Sequence, residues 1–286
     1  MASLKSIRTR IISVRNTQKV TKAMKMVSAA KLRRAQMAAE AARDYAEKLT
    51  GVLRALASGG VAVAHPFMRP GSDAPAHVIL ITADKGLCGA YNGNLIRLAS
   101  EFLASNEGRD GRLTTIGRRG RDHFGKRTQA VVTSEYVQVS PTVSLAREIG
   151  RDAASRFVAG EAGAVYVIYT QFRSAISQSA TVDRLLPLMG DDDSSDGAEV
   201  QEYVYEPDPE TILASLLPRY IETRIYHAML EAAASEHGAR MTAMDNATRN
   251  ASEMIDRLTL AMNRARQAGI TTELMEIVGG AEALNG

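Results

Sequence analysis

The first fifty residues contain neither proline nor glycine; Gly51 is the first glycine and Pro66 the first proline. Proline breaks a helix by removing a backbone donor, and glycine weakens it through lost backbone entropy. Their joint absence predicts one helix over residues 4–58, about 80 Å long at 1.5 Å per residue. No compact domain of a 286-residue chain encloses such a helix. Apolar residues at Leu4, Ile7, Ile11 and Val14 mark one helix face. After a register shift the stripe is expected to continue through Thr17, Thr21, Met24, Ser28, Lys31, Ala35, Ala38, Ala42, Tyr45, Leu49, Val52 and Leu56. Its middle is small or polar, and it becomes large only near its end.

The other end of the chain has the same character. Pro207-Asp208-Pro209-Glu210 is a helix-start signal. From there to about Leu284 the sole proline is Pro218, where a kink or restart is expected. Met241, Met244, Thr248, Ala251, Ile255, Leu258, Met262, Ala265 and Gly269 alternate spacings of three and four, which is the seam of a coiled coil. Such a helix is about 110 Å long. Two long helices joined through one domain pair most simply antiparallel. The Ala- and Ser-rich stretch of the first lets the axes approach closely, at the cost of apolar area per residue.

Gly59, Gly60, Pro66, Pro70, Gly71 and Pro75 separate the first helix from a middle segment of alternating signals. Strands are expected at 77–83, 114–116, 130–137, 164–171 and 179–188, and helices at 94–103 and 143–158. The last two strands are expected to be adjacent and antiparallel. Alternation of strand and helix implies a mainly parallel sheet with helices packed on it. The expected fold class is α/β: an antiparallel coiled coil of long N- and C-terminal helices plus a central Rossmann-like α/β domain. The boundaries fall at 1–58, 76–208 and 209–286, and about 130 residues are enough for an independent core.

Composition narrows the class. Apolar residues make up 45 % of the chain and the net charge is +3, with no Trp and five Phe, a mixture that suits long helices. Cys88 is the single cysteine, so no intramolecular disulfide forms. No apolar run approaches the roughly 20 residues of a membrane-spanning helix. The basic, amphipathic start resembles a transit peptide, yet its pattern continues unbroken for dozens of residues, so it is read as mature structure.

Motifs that carry chemistry fail one by one. Gly120-Arg121-Asp122-His123-Phe124-Gly125-Lys126 matches the first part of a phosphate-binding loop, but Arg127 stands where Ser or Thr must hold magnesium. A basic surface helix-to-turn is the better reading. Asp84-Lys85-Gly86-Leu87-Cys88-Gly89-Ala90 follows the first strand, where α/β folds place ligand loops. Its glycine spacing is not that of a dinucleotide site, and tight turning explains it. Asp191, Asp193 and Glu202 fit three positions of a calcium loop, with Asp196 where glycine is required. Ser28 and Lys31 match one part of a catalytic set whose other parts are missing. Neither the five histidines nor Cys88 has metal-ligand spacing. No active site, cofactor or metal is expected.

Charge says more. Residues 1–39 contain ten Lys or Arg and no Asp or Glu; Glu40 is the first acid. A helix so one-sided expects an acidic partner, either nucleic acid or an acidic protein surface. Nucleic acid is disfavoured by the absence of Trp and Phe from this helix, and by an excess of acids over bases after Arg219.

The two ends then become recognisable. The run from Ile7 through Asn16-Thr17-Gln18-Lys19-Val20-Thr21-Lys22-Ala23-Met24-Lys25-Met26-Val27 closely resembles the N-terminal signature of the gamma subunit of F-type ATP synthases. Ala265-Arg266-Gln267-Ala268-Gly269-Ile270-Thr271-Thr272-Glu273-Leu274-Met275-Glu276-Ile277-Val278-Gly279-Gly280-Ala281 resembles that family's other signature. The helix–domain–helix order matches too, so the resemblance covers essentially the whole chain. It implies a bacterial-type, non-catalytic rotor in one copy, with its helices inside a hexamer of alpha and beta subunits. The α/β domain would touch the epsilon subunit and the c-ring, with no nucleic acid and membrane contact only through the complex. It implies a peripheral place on the cytoplasmic side of the inner membrane. By the same resemblance Met24 and Lys25 lie near an acidic loop of the beta subunit. Arg240, Gln267, Thr271 and Glu273 serve coupling and hexamer contact, and Tyr203, Tyr205 and Glu206 approach the c-ring and epsilon subunit. The rivals are a basic coiled-coil arm that binds nucleic acid and a small α/β enzyme with helical extensions.

Overall fold

A computed structural model describes residues 4–58, 65–127, 131–136, 140–175, 177–188 and 208–285. It divides into two compact units, one made of Met1–Val27 with Met241–Gly286 and the other of Ser28–Arg240. Each of the two long helices contributes to both units. The first helix, α1, is Leu4–Ser58; the last, α5, is Pro209–Asn285.

The stripe on α1 differs from the one expected. Thr17, Lys31 and Tyr45 are exposed, as is Leu4. Buried or half-buried residues run instead through Ile7, Ile11, Val14, Gln18, Thr21, Lys25, Ser28, Leu32, Ala35, Ala39, Ala42, Ala46, Leu49 and Leu53. Spacings of four and three alternate along this set without a break, so no register shift occurs. Gln18 and Lys25 hold two seam positions, since long polar side chains can lay their aliphatic stems along a helix interface.

Asp208 caps α5: its Oδ1 accepts from the N–H of Thr211 at 2.8 Å, with Pro209 in the first turn where no donor is needed. The expected restart at Pro218 does not occur, and α5 continues through it. The carbonyl deprived of the Pro218 N–H belongs to Ala214, an exposed residue, so water can take the missing donor's place.

Between the helices, in the second unit, a 3-10 turn at Pro66–Met68 precedes β1 His77–Ile81, α2 Tyr91–Ala104, β2 Arg112–Ile116, α3 Arg118–Arg127, β3 Val131–Tyr136, α4 Val143–Val158, β4 Val165–Phe172 and β5 Gln178–Leu186. The sheet order is β3-β2-β1-β4-β5. The first four strands are parallel, and β5 returns antiparallel to β4. All five residues of β1 are buried, as a central strand covered on both faces requires. One face packs Ile79, Ile81 and Val167 against α4 and against Leu217, Ile221 and Ile225 of α5, with Val52 and Leu53 of α1 alongside. The other packs Val78, Leu80 and Leu113 against Tyr91, Leu95 and Ala99 of α2 and Phe124 of α3.

His77 opens β1 fully buried, its Nε2 3.1 Å from the Thr114 hydroxyl. Burial, reinforced by the Arg156 guanidinium, lowers its pKa to about 4. The neutral ring is therefore the folded form, while the unfolded chain takes up a proton below about pH 6.5. Stability from this residue is complete above that pH and is lost as pH falls toward 4, by about 3 kcal/mol. Urea unfolding followed at pH 7.5 and pH 4.5 should show a smaller loss for His77→Gln than for the wild type. An equal loss in both would exclude His77 as the source.

Candidate interaction surface

The first unit is an antiparallel pair. The hydroxyls of Thr21 on α1 and Thr248 on α5 meet at 2.7 Å. Each also reaches a carbonyl of its own helix, Thr21 that of Gln18 and Thr248 that of Met244, so whichever donates across, the other donates back. Four residues on along α1 and three back along α5, the Lys25 ammonium donates to Asp245 Oδ1 at 2.6 Å. Arg249 Nη2 holds the other oxygen of Asp245 at 3.0 Å. The hydrogen bond from Lys25, helped by Arg249, keeps the Asp245 carboxyl below its ordinary pKa. A half-exposed ion pair adds little free energy, so its main effect is to fix the register.

The α5 stripe is the one expected. Met244 and Ala251 are buried, and Met241, Thr248, Ile255, Leu258, Met262, Ala265 and Gly269 are half-buried. Beyond Gly269 every residue from Ile270 to Ala281 is exposed, with Leu274, Met275, Ile277 and Val278 among them. Ile12, Val20, Met26 and Val27 of α1 are exposed as well, interleaved with exposed Lys5, Arg8, Arg10, Arg15, Lys19 and Lys22. The pair thus presents an outward face that is both apolar and basic.

Of the expected site residues, Met24 is half-buried and Lys25 is paired with Asp245, a partner the sequence reading missed. Neither Lys25 nor Asp245 lies on the stripes that hydrophobic spacing marks; the register set by Thr21 and Thr248 brings them together. Gln267, Thr271 and Glu273 are exposed, and the Thr271 hydroxyl donates to the Gln267 carbonyl of its own helix at 3.0 Å. Arg240 lies in the other unit, buried. It pairs with Glu236 at 2.6 Å, and its guanidinium donates to the carbonyls of Gly86 and Lys85 at 3.3–3.4 Å. Tyr203, Tyr205 and Glu206 lie outside the described residues, as does the acidic stretch 191–197.

Two of the motifs weighed in the sequence lie within the described residues of the second unit. Gly120 and the residues after it lie inside α3, whereas a phosphate-binding loop must precede its helix. Gly120 serves packing: its N–H donates to the Thr82 hydroxyl, and a Cβ there would come within 3.0 Å of that oxygen. In the loop after β1, Leu87 and Gly89 take positive φ, and the carbonyls of Lys85 and Gly86 are occupied by Arg240. Burial raises the Cys88 thiol pKa, which makes the thiol unreactive. Among the described residues no group of three His, Cys, Asp or Glu could hold a metal ion.

A family model described as ATP synthase matches residues 3–284. The chain is 49 % identical over 285 residues to the ATP synthase gamma chain of Moorella thermoacetica, covering 99 % of this chain and all of that one. It is 48 % identical over 293 residues to the ATP synthase gamma chain of Anaeromyxobacter sp. (strain K), again over 99 % of this chain and all of the relative. Among solved structures, a chain of the central stalk and c-ring of Tetrahymena thermophila mitochondrial ATP synthase is similar at TM-score 0.61 and 25 % identity, over 80 % of this chain and 99 % of that one. A chain of Euglena gracilis mitochondrial ATP synthase shares the fold at TM-score 0.70 and 18 % identity, over 98 % of this chain and 94 % of that one.

If Lys25 and Asp245 fix the register, Lys25→Glu sets two carboxylates against each other. Hydrogen exchange should then speed up in both helices around residues 21–28 and 241–249, and the swapped variant carrying both Lys25→Glu and Asp245→Lys should recover wild-type protection. Equal protection in all three would show that the pair has no such part.

Proposed function

Because the chain belongs to the ATP synthase gamma-chain family, we propose that it is the central-stalk rotor of an F-type ATP synthase, a non-catalytic subunit present in one copy per complex. It turns inside a hexamer of alternating alpha and beta subunits and couples proton flow through the c-ring to ATP synthesis on the beta subunits. The observation that carries this reading is the helix pair with an outward face both apolar and basic. Large apolar side chains left outside a seam fit a pair that is itself enclosed by partners. The basic residues fit an acidic surface on those partners.

The mechanism follows from differential contact. A shaft that meets three beta subunits in three orientations favours a different conformation in each, but only as far as its contacts differ between their open and closed states. The charge of α1 supplies part of that difference, since bases concentrated on one helix of a pair make the shaft electrically asymmetric about its axis. The exposed apolar end after Gly269 gives a non-directional contact in which a shaft can turn without a single preferred stop. In this reading Met24, Lys25, Gln267, Thr271 and Glu273 serve the hexamer, Arg240 serves coupling from its buried place in the second unit, and Tyr203, Tyr205 and Glu206 serve the c-ring and epsilon subunit. The chain's proposed place is peripheral, on the cytoplasmic side of the inner membrane; among the described residues no helix is long and apolar enough to cross a membrane.

The test is co-expression with alpha and beta chains, followed by ATP-driven proton pumping in vesicles that carry the whole complex. The expected result is co-purification and pumping that depends on this chain. Failure to assemble with alpha and beta, or salt-sensitive binding to bulk RNA instead, would sink the reading. The variants at Lys25 sharpen it. If Lys25 acts on the hexamer, the swapped variant with Lys25→Glu and Asp245→Lys should pump fewer protons per ATP even though its helix pair is restored. Wild-type pumping in the swapped variant would confine Lys25 to the register of the pair.

A further inference from the structure

In the second unit, residues 228–235 of α5 are all buried apart from half-buried Ala233. That span exceeds two turns, so the helix is enclosed on every face, whereas a helix resting on a sheet buries one stripe. The sequence fits this enclosure: Ala232, Ala233, Ala234, Ser235, Gly238 and Ala239 keep the helix thin. Four separate elements grip the same stretch through bonds to backbone atoms. Tyr91 of α2 donates its hydroxyl to the Ala232 carbonyl at 3.2 Å, and the Ser235 hydroxyl donates to the Thr170 carbonyl of β4 at 3.1 Å. Arg240 donates to the carbonyls of Lys85 and Gly86 in the loop after β1.

The fourth grip comes from Gln178, the first residue of β5. Oriented so that its oxygen meets a donor and its nitrogen an acceptor, its amide donates to the Ser235 carbonyl at 3.2 Å and accepts from the Ala239 N–H at 3.1 Å. Those two backbone groups are the pair that an α-helix bonds to each other. The strand thus reads the helix ladder directly. Gly238 makes room for it: a Cβ there would stand 2.9 Å from the end of the Gln178 side chain and 3.5 Å from Ala175 Cα.

We infer that residues 232–240 form a torque-bearing collar on α5, in which Gln178 is a positioning residue that keeps the helix from slipping. This rests on the rotor reading. Apolar packing is non-directional, so a helix held by it alone can shift by one ridge into the next groove. A hydrogen bond to one backbone carbonyl breaks when the helix slides or turns. The collar stands at the last residues of α5 before it leaves this unit between Arg240 and Met241. Load carried along the helix reaches the sheet there first.

The test uses Gln178→Met, which keeps the length and removes both bonds, and Gln178→Glu, which keeps only the acceptor. Amide exchange of the full chain should be faster at Ala239 by about fivefold in Gln178→Met, as one hydrogen bond's loss predicts, and intermediate in Gln178→Glu. In the assembled complex, Gln178→Met should lose part of its proton pumping while hydrolysing ATP at the wild-type rate. A space-filling role would give Met the same exchange and pumping as Gln. Unchanged Ala239 exchange, or faster exchange with wild-type pumping per ATP, overturns the inference. A wild-type chain that does not assemble with alpha and beta subunits overturns the rotor reading and the torque role together. That failure is distinct from a wild-type complex that pumps beside a Gln178→Met complex that pumps equally well.

Discussion

A helix of 77 residues takes its stability from what covers it more than from its own hydrogen bonds, and the covering of α5 changes along its length. Leu213, Leu217, Ile221 and Ile225 form one apolar stripe against the sheet. Around residues 228–235 the helix is enclosed. From Met241 to Gly269 a single three-four stripe is covered by α1, and from Ile270 to Ala281 every residue is exposed. Local composition follows these four regimes: large aliphatics on one face, then alanine, serine and glycine, then a seam, then an apolar surface left open. One continuous helix therefore serves as core element, enclosed rod, paired strand of a coiled coil and exposed tip.

Charge is distributed by the same logic. Within the first unit the α1 bases stand outside the seam, with Lys25 the exception that crosses to Asp245. Asp245 answers two cations, Lys25 across the pair and Arg249 one turn on in its own helix. The remaining α1 bases up to Lys22 are exposed, and their mutual repulsion is a cost that an acidic partner surface would remove.

Much of this was legible in the sequence, for physical reasons that also explain the misses. The α5 stripe was read correctly because its residues are apolar or small at every position from Met241 to Gly269. The α1 stripe was misread at Thr17 because Gln18 and Lys25, both polar, hold true seam positions and hydrophobic spacing passes over them. Leu32 was passed over for Lys31 by the same slip of one residue. The short helix α3 has one buried large apolar residue, Phe124, and its glycines invited comparison with a ligand loop. Pro218 was expected to kink or restart α5, yet the helix runs on through it, and the residue whose carbonyl loses its donor, Ala214, is exposed. Arg240 was singled out by resemblance, but no periodic pattern could place its guanidinium on the carbonyls of a loop more than 150 residues away.

The first unit is built from the two ends of the chain, Met1–Val27 and Met241–Gly286. During synthesis, then, the first half of this pair emerges more than 200 residues before the second. Until the second half is made the Ile7, Ile11 and Val14 side of α1 lacks this partner, and more than 200 residues must be closed into a loop before it finds it. The small and polar character of its seam acquires a second meaning in that interval. A stripe of leucines would be an adhesive waiting for the wrong surface, whereas Gln18, Thr21, Lys25, Ser28 and Ala35 leave less apolar surface bare until the partner helix arrives.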